Sequence, residues 1–331
     1  MLGKRVQDQR LIEIFQLASK KYLIEGGLKS EHWENLNKGK KFAPETLANF
    51  QSNDLTRGML DTRDLSQKST KLFERILSAD YKEIENKYFI RARKSANDQI
   101  DHTMLFCLLW LKTLRDSTSQ FHKPIEVCEI GSGFGLFPAL LAAESDCKHL
   151  LLDLPESNLL TARFLANYHP SKTFFLYDDY LEGKSFVRNG KLAYDFIILP
   201  SIVLPNIKFN FDLFVNTRSF AEMNHYLIAQ YFEFIQNHTR EGGYFLNVNR
   251  YEKSSYGVTL RLCDYPYDSK WNVIASSPNG PQKHIRIVLA QRLGSGKEGN
   301  IASHLKYIRR VGQKYSRNSV RGFVYNLRRK L

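Results

Sequence analysis

Apolar residues recur along this chain in two rhythms, and the change of rhythm near residue 120 divides it. Before that point the period is helical. Leu11, Ile14, Phe15, Leu17 and Ala18 form a stripe over 10–22 that stops at Gly26-Gly27. Leu72, Phe73, Ile76 and Leu77 share one face of a helix expected over 65–77, and residues 101–114 predict a stronger one. The stretch 30–58 is polar with aromatic interruptions and predicts no element. After residue 120, short apolar runs alternate with helical stripes. Strands are expected over 126–130, 149–154, 173–177, 196–199, 212–215, 244–248, 273–275 and 285–290. Helices are expected over 136–143, 155–166 and 221–237. Such alternation predicts an α/β fold with a mostly parallel, Rossmann-like sheet. Pro278-Asn279-Gly280-Pro281 marks the turn of a late hairpin that closes it.

The most informative stretch is Val127-Cys128-Glu129-Ile130-Gly131-Ser132-Gly133-Phe134-Gly135. It reads as a buried strand turning through glycines into a helix, a place where a ligand can touch backbone. The following strand ends in Asp153, 22 residues after Gly131, placed to accept hydrogen bonds from ribose hydroxyls. A dinucleotide site prefers G-x-G-x-x-G, and here the third slot is Leu136. Acid, G-x-G-x-G and a second acid together resemble the pattern of class I S-adenosylmethionine (AdoMet) methyltransferases, whose sheet has seven strands. On that resemblance Glu129, Gly131, Ser132, Gly133 and Gly135 line the amino-acid end of AdoMet. Asp153 meets the ribose, Leu154 packs on the adenine, and Asp178 or Ser201 meets the adenine edge. One strand more than seven is expected, because 173–177 and 196–199 compete for the third position.

Longer runs narrow the resemblance. The segments E-I-G-S-G-F-G (129–135), L-D-L-P-E (152–156), D-L-F-V-N-T-R-S-F-A-E-M (212–223) and G-G-Y-F-L-N-V-N-R-Y (242–251) are similar to those of bacterial sugar O-methyltransferases. The resemblance covers roughly residues 100–293 and is carried chiefly by the last two runs. It implies a sugar hydroxyl as acceptor, free or on a lipid- or nucleotide-linked saccharide, in surface-polysaccharide assembly.

Ligands of open α/β sheets sit beyond the carboxyl ends of the strands. That singles out Asn216, Arg218, Ser219, Glu222 and His225 after one strand, and Asn247, Asn249, Arg250 and Tyr251 after the next. A sugar hydroxyl is far from ionised at neutral pH, so its transfer needs a base. Glu222 and His225, three apart, share a face if a helix starts near Ser219, and either serves as base with the other orienting it. The same spacing also fits a capping box, Ser219-x-x-Glu222. Asn216 belongs to the cofactor side. Arg218 and Ser219 suit an acidic sugar or phosphate. Asn247 and Asn249 either bind sugar hydroxyls or fix loops through side-chain-to-backbone bonds, and Arg250 and Tyr251 complete the substrate set. No Asp/His cluster stands at the strand ends, so no metal is expected.

With 43% hydrophobic residues in 331, the chain can bury a full core. Its first ten residues are charged, and its longest apolar run, 104–111, is too short for a membrane span of about 20 residues. A cytoplasmic protein is the expectation. Four cysteines without C-x-x-C spacing indicate neither disulfides nor zinc. The net charge of +14 is concentrated: residues 294–331 hold ten Lys or Arg against one Glu, leaving +5 for the rest. Three parts are therefore expected: a helical lid or substrate region over 1–120, an AdoMet-binding domain over 121–293, and a basic tail over 294–331. In the tail Ile301, Leu305 and Ile308, then Val320, Phe323, Val324 and Leu327, recur at helical spacing. Such a helix docks on an anionic surface at the inner face of the membrane, or packs on the body with its basic face in water. An RNA methyltransferase is the rival enzyme, but the body is near neutral and lacks an N/D-P-P-Y motif, so nucleic acid is not the expected partner. A non-catalytic AdoMet-binding scaffold is the rival from outside enzymes. The sequence leaves oligomeric state open.

Overall fold

The computed structural model describes residues 8–24, 102–118, 124–255 and 258–316. The expected helix over 65–77, the stop at Gly26-Gly27, the stretch 30–58 and the tail positions Val320, Phe323, Val324 and Leu327 lie outside the described residues. The strands of the central sheet are β1 (Ile125–Ile130), β2 (Cys147–Asp153), β3 (Phe174–Phe175), β6 (Phe196–Pro200), β7 (Phe211–Thr217), β8 (Thr239–Arg250), β11 (Trp271–Asn279) and β12 (Gln282–Arg292). Two small hairpins complete the set, β4 (Val187–Arg188) with β5 (Lys191–Leu192), and β9 (Glu252–Ser255) with β10 (Val258–Arg261). The helices are α1 (Asp8–Ile24), α2 (His102–Ser117), α3 (Leu136–Glu144), α4 (Pro155–Tyr168), α5 (Tyr177–Leu181), α6 (His225–His238) and α7 (Ile301–Gly312).

The sheet order is β3-β6-β2-β1-β7-β8-β12-β11. All neighbours are parallel except β12, which runs antiparallel to β8 and β11. This is a Rossmann-like, mostly parallel sheet with one strand more than seven. The competition for the third position resolves as an insertion: β6 pairs with β2, and the two-residue β3 is pushed to the edge beyond it. The stretch expected as a strand over 173–177 is mostly not one. Its second half turns at Leu176 into α5, whose first turn is capped by Asp179.

Both faces of the sheet are buried, as parallel strands require. On β8, Tyr244, Leu246 and Val248 face the layer of α2, α3 and α4, whereas Phe245 faces that of α6 and α7. The indole N–H of Trp110 in α2 donates to Asn279 Oδ1 at 2.8 Å, joining that helix to the closing hairpin. At the end of the sheet away from the glycine turn, Arg240 pairs with Asp212 at 2.8 Å and Glu126 at 2.6 Å, clasping the starts of β8, β7 and β1. The N-terminal helix α1 packs on α4 and is tied down by Arg10, which reaches Asp178 at 2.8 Å and Asp179 at 3.2 Å. In α7, Ile301 and Ile308 are buried in the core while Lys306, Arg309 and Arg310 face solvent. The first helix of the tail therefore spends its apolar face on the body. Among the described residues no helix is long and apolar enough to cross a membrane.

Candidate functional site

A cavity of about 170 Å³, open to solvent, lies at the carboxyl ends of β1, β2, β6 and β7. Gly131, Gly133, Asp153, Leu154 and Ser201 line it from the ends of β1, β2 and β6; Thr217, Arg218, Ser219, Glu222 and Met223 line it from the end of β7 and the loop that follows. The strand-to-helix turn on its floor is built around three glycines in left-handed conformations. Gly131 has φ 76°, Gly133 φ 61° and Gly135 φ 92°. A Cβ on Gly131 would stand 2.2 Å from Ser219 Oγ, so the loop after β7 sits directly on that Cα. A Cβ on Gly133 would meet no atom of the described residues within 4 Å. Packing explains the first glycine, and no described residue fills the space beside the second.

Asp153 lines the cavity, and its carboxylate accepts the N–H of Gly133 at 2.9 Å and of Leu154 at 2.7 Å. The protein packed around it desolvates the group and pushes its pKa up to about 7 despite those bonds. Glu129 is fully buried just behind the wall, and neither of its carboxyl oxygens has a hydrogen-bond partner among the described residues. Burial raises its pKa well above the usual carboxyl range, the charge of Asp153 adds to the rise, and the Thr217 side chain opposes it. A buried carboxyl without a close hydrogen-bond partner is costly unless it is held neutral or meets a donor from a bound group. Ser132 is buried, its hydroxyl 3.3 Å from that of Thr161, which in turn donates to Gly133 O at 2.7 Å. Gly135 caps the start of α3.

The loop after β7 departs from expectation. The helix begins at His225 rather than near Ser219, with Asn224 as its cap: Asn224 Oδ1 accepts the Leu227 N–H at 2.9 Å. Residues Phe220–Glu222 form only a 3-10 turn, and Ser219 makes no side-chain cap there. Both the capping box and the shared helical face of Glu222 and His225 are thereby removed. Asn224 is a better cap than the serine because its side chain reaches the N3 amide of a full helix. Glu222 lines the cavity, 3.6 Å from the ammonium of Lys253 on β9. His225 is exposed at the first turn of α6, away from the cavity lining.

The asparagines turn out to be builders. Asn216, Asn247 and Asn249 are all fully buried. Asn216 Nδ2 donates to Ile130 O at 2.8 Å and to Ser219 Oγ at 2.5 Å, and Ser219 Oγ donates to the same carbonyl at 3.1 Å. Asn249 Nδ2 donates to Asn216 Oδ1 at 2.8 Å and Asn247 Oδ1 at 2.6 Å, and Asn247 Nδ2 donates to Tyr267 at 2.7 Å. This ladder crosses from β8 through β7 to the end of β1 and holds the loop against the glycine turn. Asn247 and Asn249 therefore fix loops and do not line the cavity, as their zero exposure requires. Tyr251 also points elsewhere: it is buried against the tail, its ring stacked on Tyr315 at 5.1 Å and its hydroxyl accepting from Arg286 at 3.3 Å. Arg250 is half-buried at the end of β8. Asp178 is committed to Arg10 and does not line the cavity; Ser201 does, with its hydroxyl 3.2 Å from that of Tyr22.

Sequence reasoning missed Tyr22, Ser157, Tyr231 and Lys253. Tyr22 and Tyr231 reach the cavity from α1 and α6, and both phenols are raised above their usual range, chiefly by burial. Each stands on an apolar helical stripe, where periodicity reports only a core position. Among the described residues no group of His, Cys, Asp and Glu is arranged to hold a metal.

No protein-family model matches the chain, and no curated protein does. Solved structures similar to it include TehB from Haemophilus influenzae, at 17% identity and TM-score 0.39, over 60% of this chain and 65% of that one. The mitomycin 7-O-methyltransferase MmcR is similar at 13% identity and TM-score 0.38, over 76% of this chain and 75% of that one. A SAM-dependent methyltransferase from Aquifex aeolicus is similar at 15% identity and TM-score 0.38, over 58% of this chain and 94% of that one. The chain spans less than two thirds of TehB. The strand order itself carries the Rossmann-like fold.

Proposed function

We propose that this chain is an AdoMet-dependent O-methyltransferase whose acceptor is a sugar hydroxyl, on a free, nucleotide-linked or lipid-linked saccharide. The observation that carries the reading is the space beside Gly133 that no described residue fills, bordered by Asp153 and backed by the buried carboxyl of Glu129. A ligand with a polar amino-acid end and a ribose matches both: ammonium donors toward Glu129, hydroxyls toward Asp153. Gly131, Gly133 and Ser132 would hold the first, Asp153 and Leu154 the second, and Ser201 the edge of the base. When bound, AdoMet supplies a methyl on a sulfonium, already activated for displacement.

The protein's own work is then alignment and proton removal. Glu222 is the carboxylate on the acceptor side of the cavity, and it takes the acceptor's proton as the oxygen attacks. Met223 and Leu227 give that side an apolar wall. His225 has no part, being exposed outside the lining. The sugar as acceptor is supported by the runs over 212–223 and 242–251, although their asparagines act as scaffold. Surface-polysaccharide assembly and a cytoplasmic setting near the inner membrane face are part of the same proposal.

The experiment is transfer of labelled methyl from AdoMet to a panel of nucleotide-linked and lipid-linked sugars, with Glu222→Gln beside wild type. Turnover on a sugar, lost in the variant while AdoMet still binds, is the expected result. Turnover on RNA alone, or full activity of Glu222→Gln, would overturn acceptor and base respectively.

A further inference from the structure

We propose that the acceptor carries an anionic group, a carboxylate or a phosphate, held at the mouth of the cavity by Arg218 and Lys253. This rests on the methyl-transfer reading above and names the class of acceptor within it. Arg218 lines the cavity with φ 72°, a left-handed conformation that a residue with a Cβ rarely adopts. Its N–H is tied to Val248 O at 2.7 Å, on the strand that carries the asparagine ladder. A buried network thus maintains a strained backbone at one long cationic side chain, which fixes where that side chain starts.

Lys253 is the second element. Its side chain is only 18% exposed, and its ammonium stands 3.6 Å from Glu222. Charge-assisted N–H···O bonds close to about 2.7–2.9 Å, so this pair is loose and leaves the ammonium able to serve another acceptor. Burial holds Lys253 below its usual range, the pull of Glu222 opposes that, and the charges of Arg250 and Arg218 add to it. Arg218 and Lys253 thus bring two cations to the end of the cavity where Glu222 stands. A neutral sugar offers them no counter-charge. An anion on the acceptor, gripped from two sides, would turn a neighbouring hydroxyl towards Glu222.

The test uses the full chain saturated with S-adenosylhomocysteine, titrated by calorimetry with glucuronate, glucose 1-phosphate and glucose. A charged probe is expected to bind at least about tenfold tighter than glucose, as one charge-assisted contact allows. Whichever charged probe wins assigns carboxylate or phosphate. Lys253→Met and Arg218→Gln should each weaken it by about tenfold to a hundredfold, and both should keep wild-type affinity for S-adenosylhomocysteine. Equal binding of glucose and both anions, no binding of either anion, or unchanged anion affinity in Lys253→Met would overturn the proposal. Failure of wild type to bind S-adenosylhomocysteine at all would instead overturn the reading beneath it.

Discussion

Replacing Gly131 by alanine tests whether the loop after β7 is seated on the glycine turn. The added methyl would stand 2.2 Å from Ser219 Oγ and 2.4 Å from its Cβ, with φ at 76°. The left-handed conformation alone costs alanine about 1 kcal/mol. Ser219 must also move, and its hydroxyl then loses the bonds to Ile130 O and from Asn216 Nδ2. At about 1 kcal/mol each, the total loss is about 3 kcal/mol. Asn216 keeps its own bond to Ile130 O, so the damage should stop there. Ser219→Gly alone removes the same two bonds and should cost about 2 kcal/mol. The double variant is the decisive one. If the methyl acts by expelling Ser219, Gly131→Ala with Ser219→Gly should be no less stable than Gly131→Ala alone, a coupling of about 2 kcal/mol. Urea unfolding at pH 7, with the slope monitored for two-state behaviour, measures all three. Additive losses in the double variant would refute the contact as the cause.

The same turn predicts the opposite balance at the next glycine. Gly133→Ala meets no atom of the described residues, so it should cost only about 1 kcal/mol of stability yet sharply weaken S-adenosylhomocysteine binding; retained affinity would mean that the ligand does not approach there. Asn249→Ala leaves the buried oxygens of Asn216 and Asn247 each short of a donor and should cost about 2–4 kcal/mol in urea unfolding; a cost below about 1 kcal/mol would show that the ladder does not hold the loop. His149, buried against Phe196, has its pKa lowered to about 3 from 6.5, first by burial and then by His169 and Lys172. It takes up a proton on unfolding but not in the fold, so its contribution to stability is complete above pH 6.5 and is lost as pH falls towards 3. Relative to His149→Phe, wild type should therefore weaken by up to about 1.4 kcal/mol per pH unit as pH falls from 6.5 towards 3, and a pH-independent difference would exclude it.

The sheet was legible because each strand is an apolar run between glycine, proline or charged residues, and both faces are buried. The glycine turn and Asp153 were legible for a different reason: a close backbone approach restricts sequence at the positions themselves. What could not be read was which partner a polar side chain finds. Asn247 and Asn249 alternate in a strand whether they face a sugar or a neighbouring asparagine. Ser219-x-x-Glu222 has capping-box spacing, but Asn224 captures the helix start, and the 3-10 turn that results carries Glu222 to the cavity. Asp178 looked available because Arg10 lies 168 residues away in sequence. Lys253 and Tyr22 belong to elements brought to the cavity only by tertiary packing. In the tail, the helical period of Ile301, Leu305 and Ile308 was plain, but period alone did not say that the body, not a membrane, covers this face.

The central claim is that the cavity over Gly133 and Asp153 receives AdoMet. It is tested most directly by calorimetric titration of S-adenosylhomocysteine into wild type and Asp153→Asn at pH 6 and pH 8. Asp153 has its pKa raised from 3.8 to about 7, so the folded, ligand-free protein gives up that proton only as pH passes 7. Ribose hydroxyls donate to the ionised form. Wild type should therefore bind, and bind more tightly at pH 8 than at pH 6, while Asp153→Asn should bind at least about tenfold more weakly with that pH dependence gone. No binding by wild type, or equal affinity in the variant at both pH values, would contradict the account.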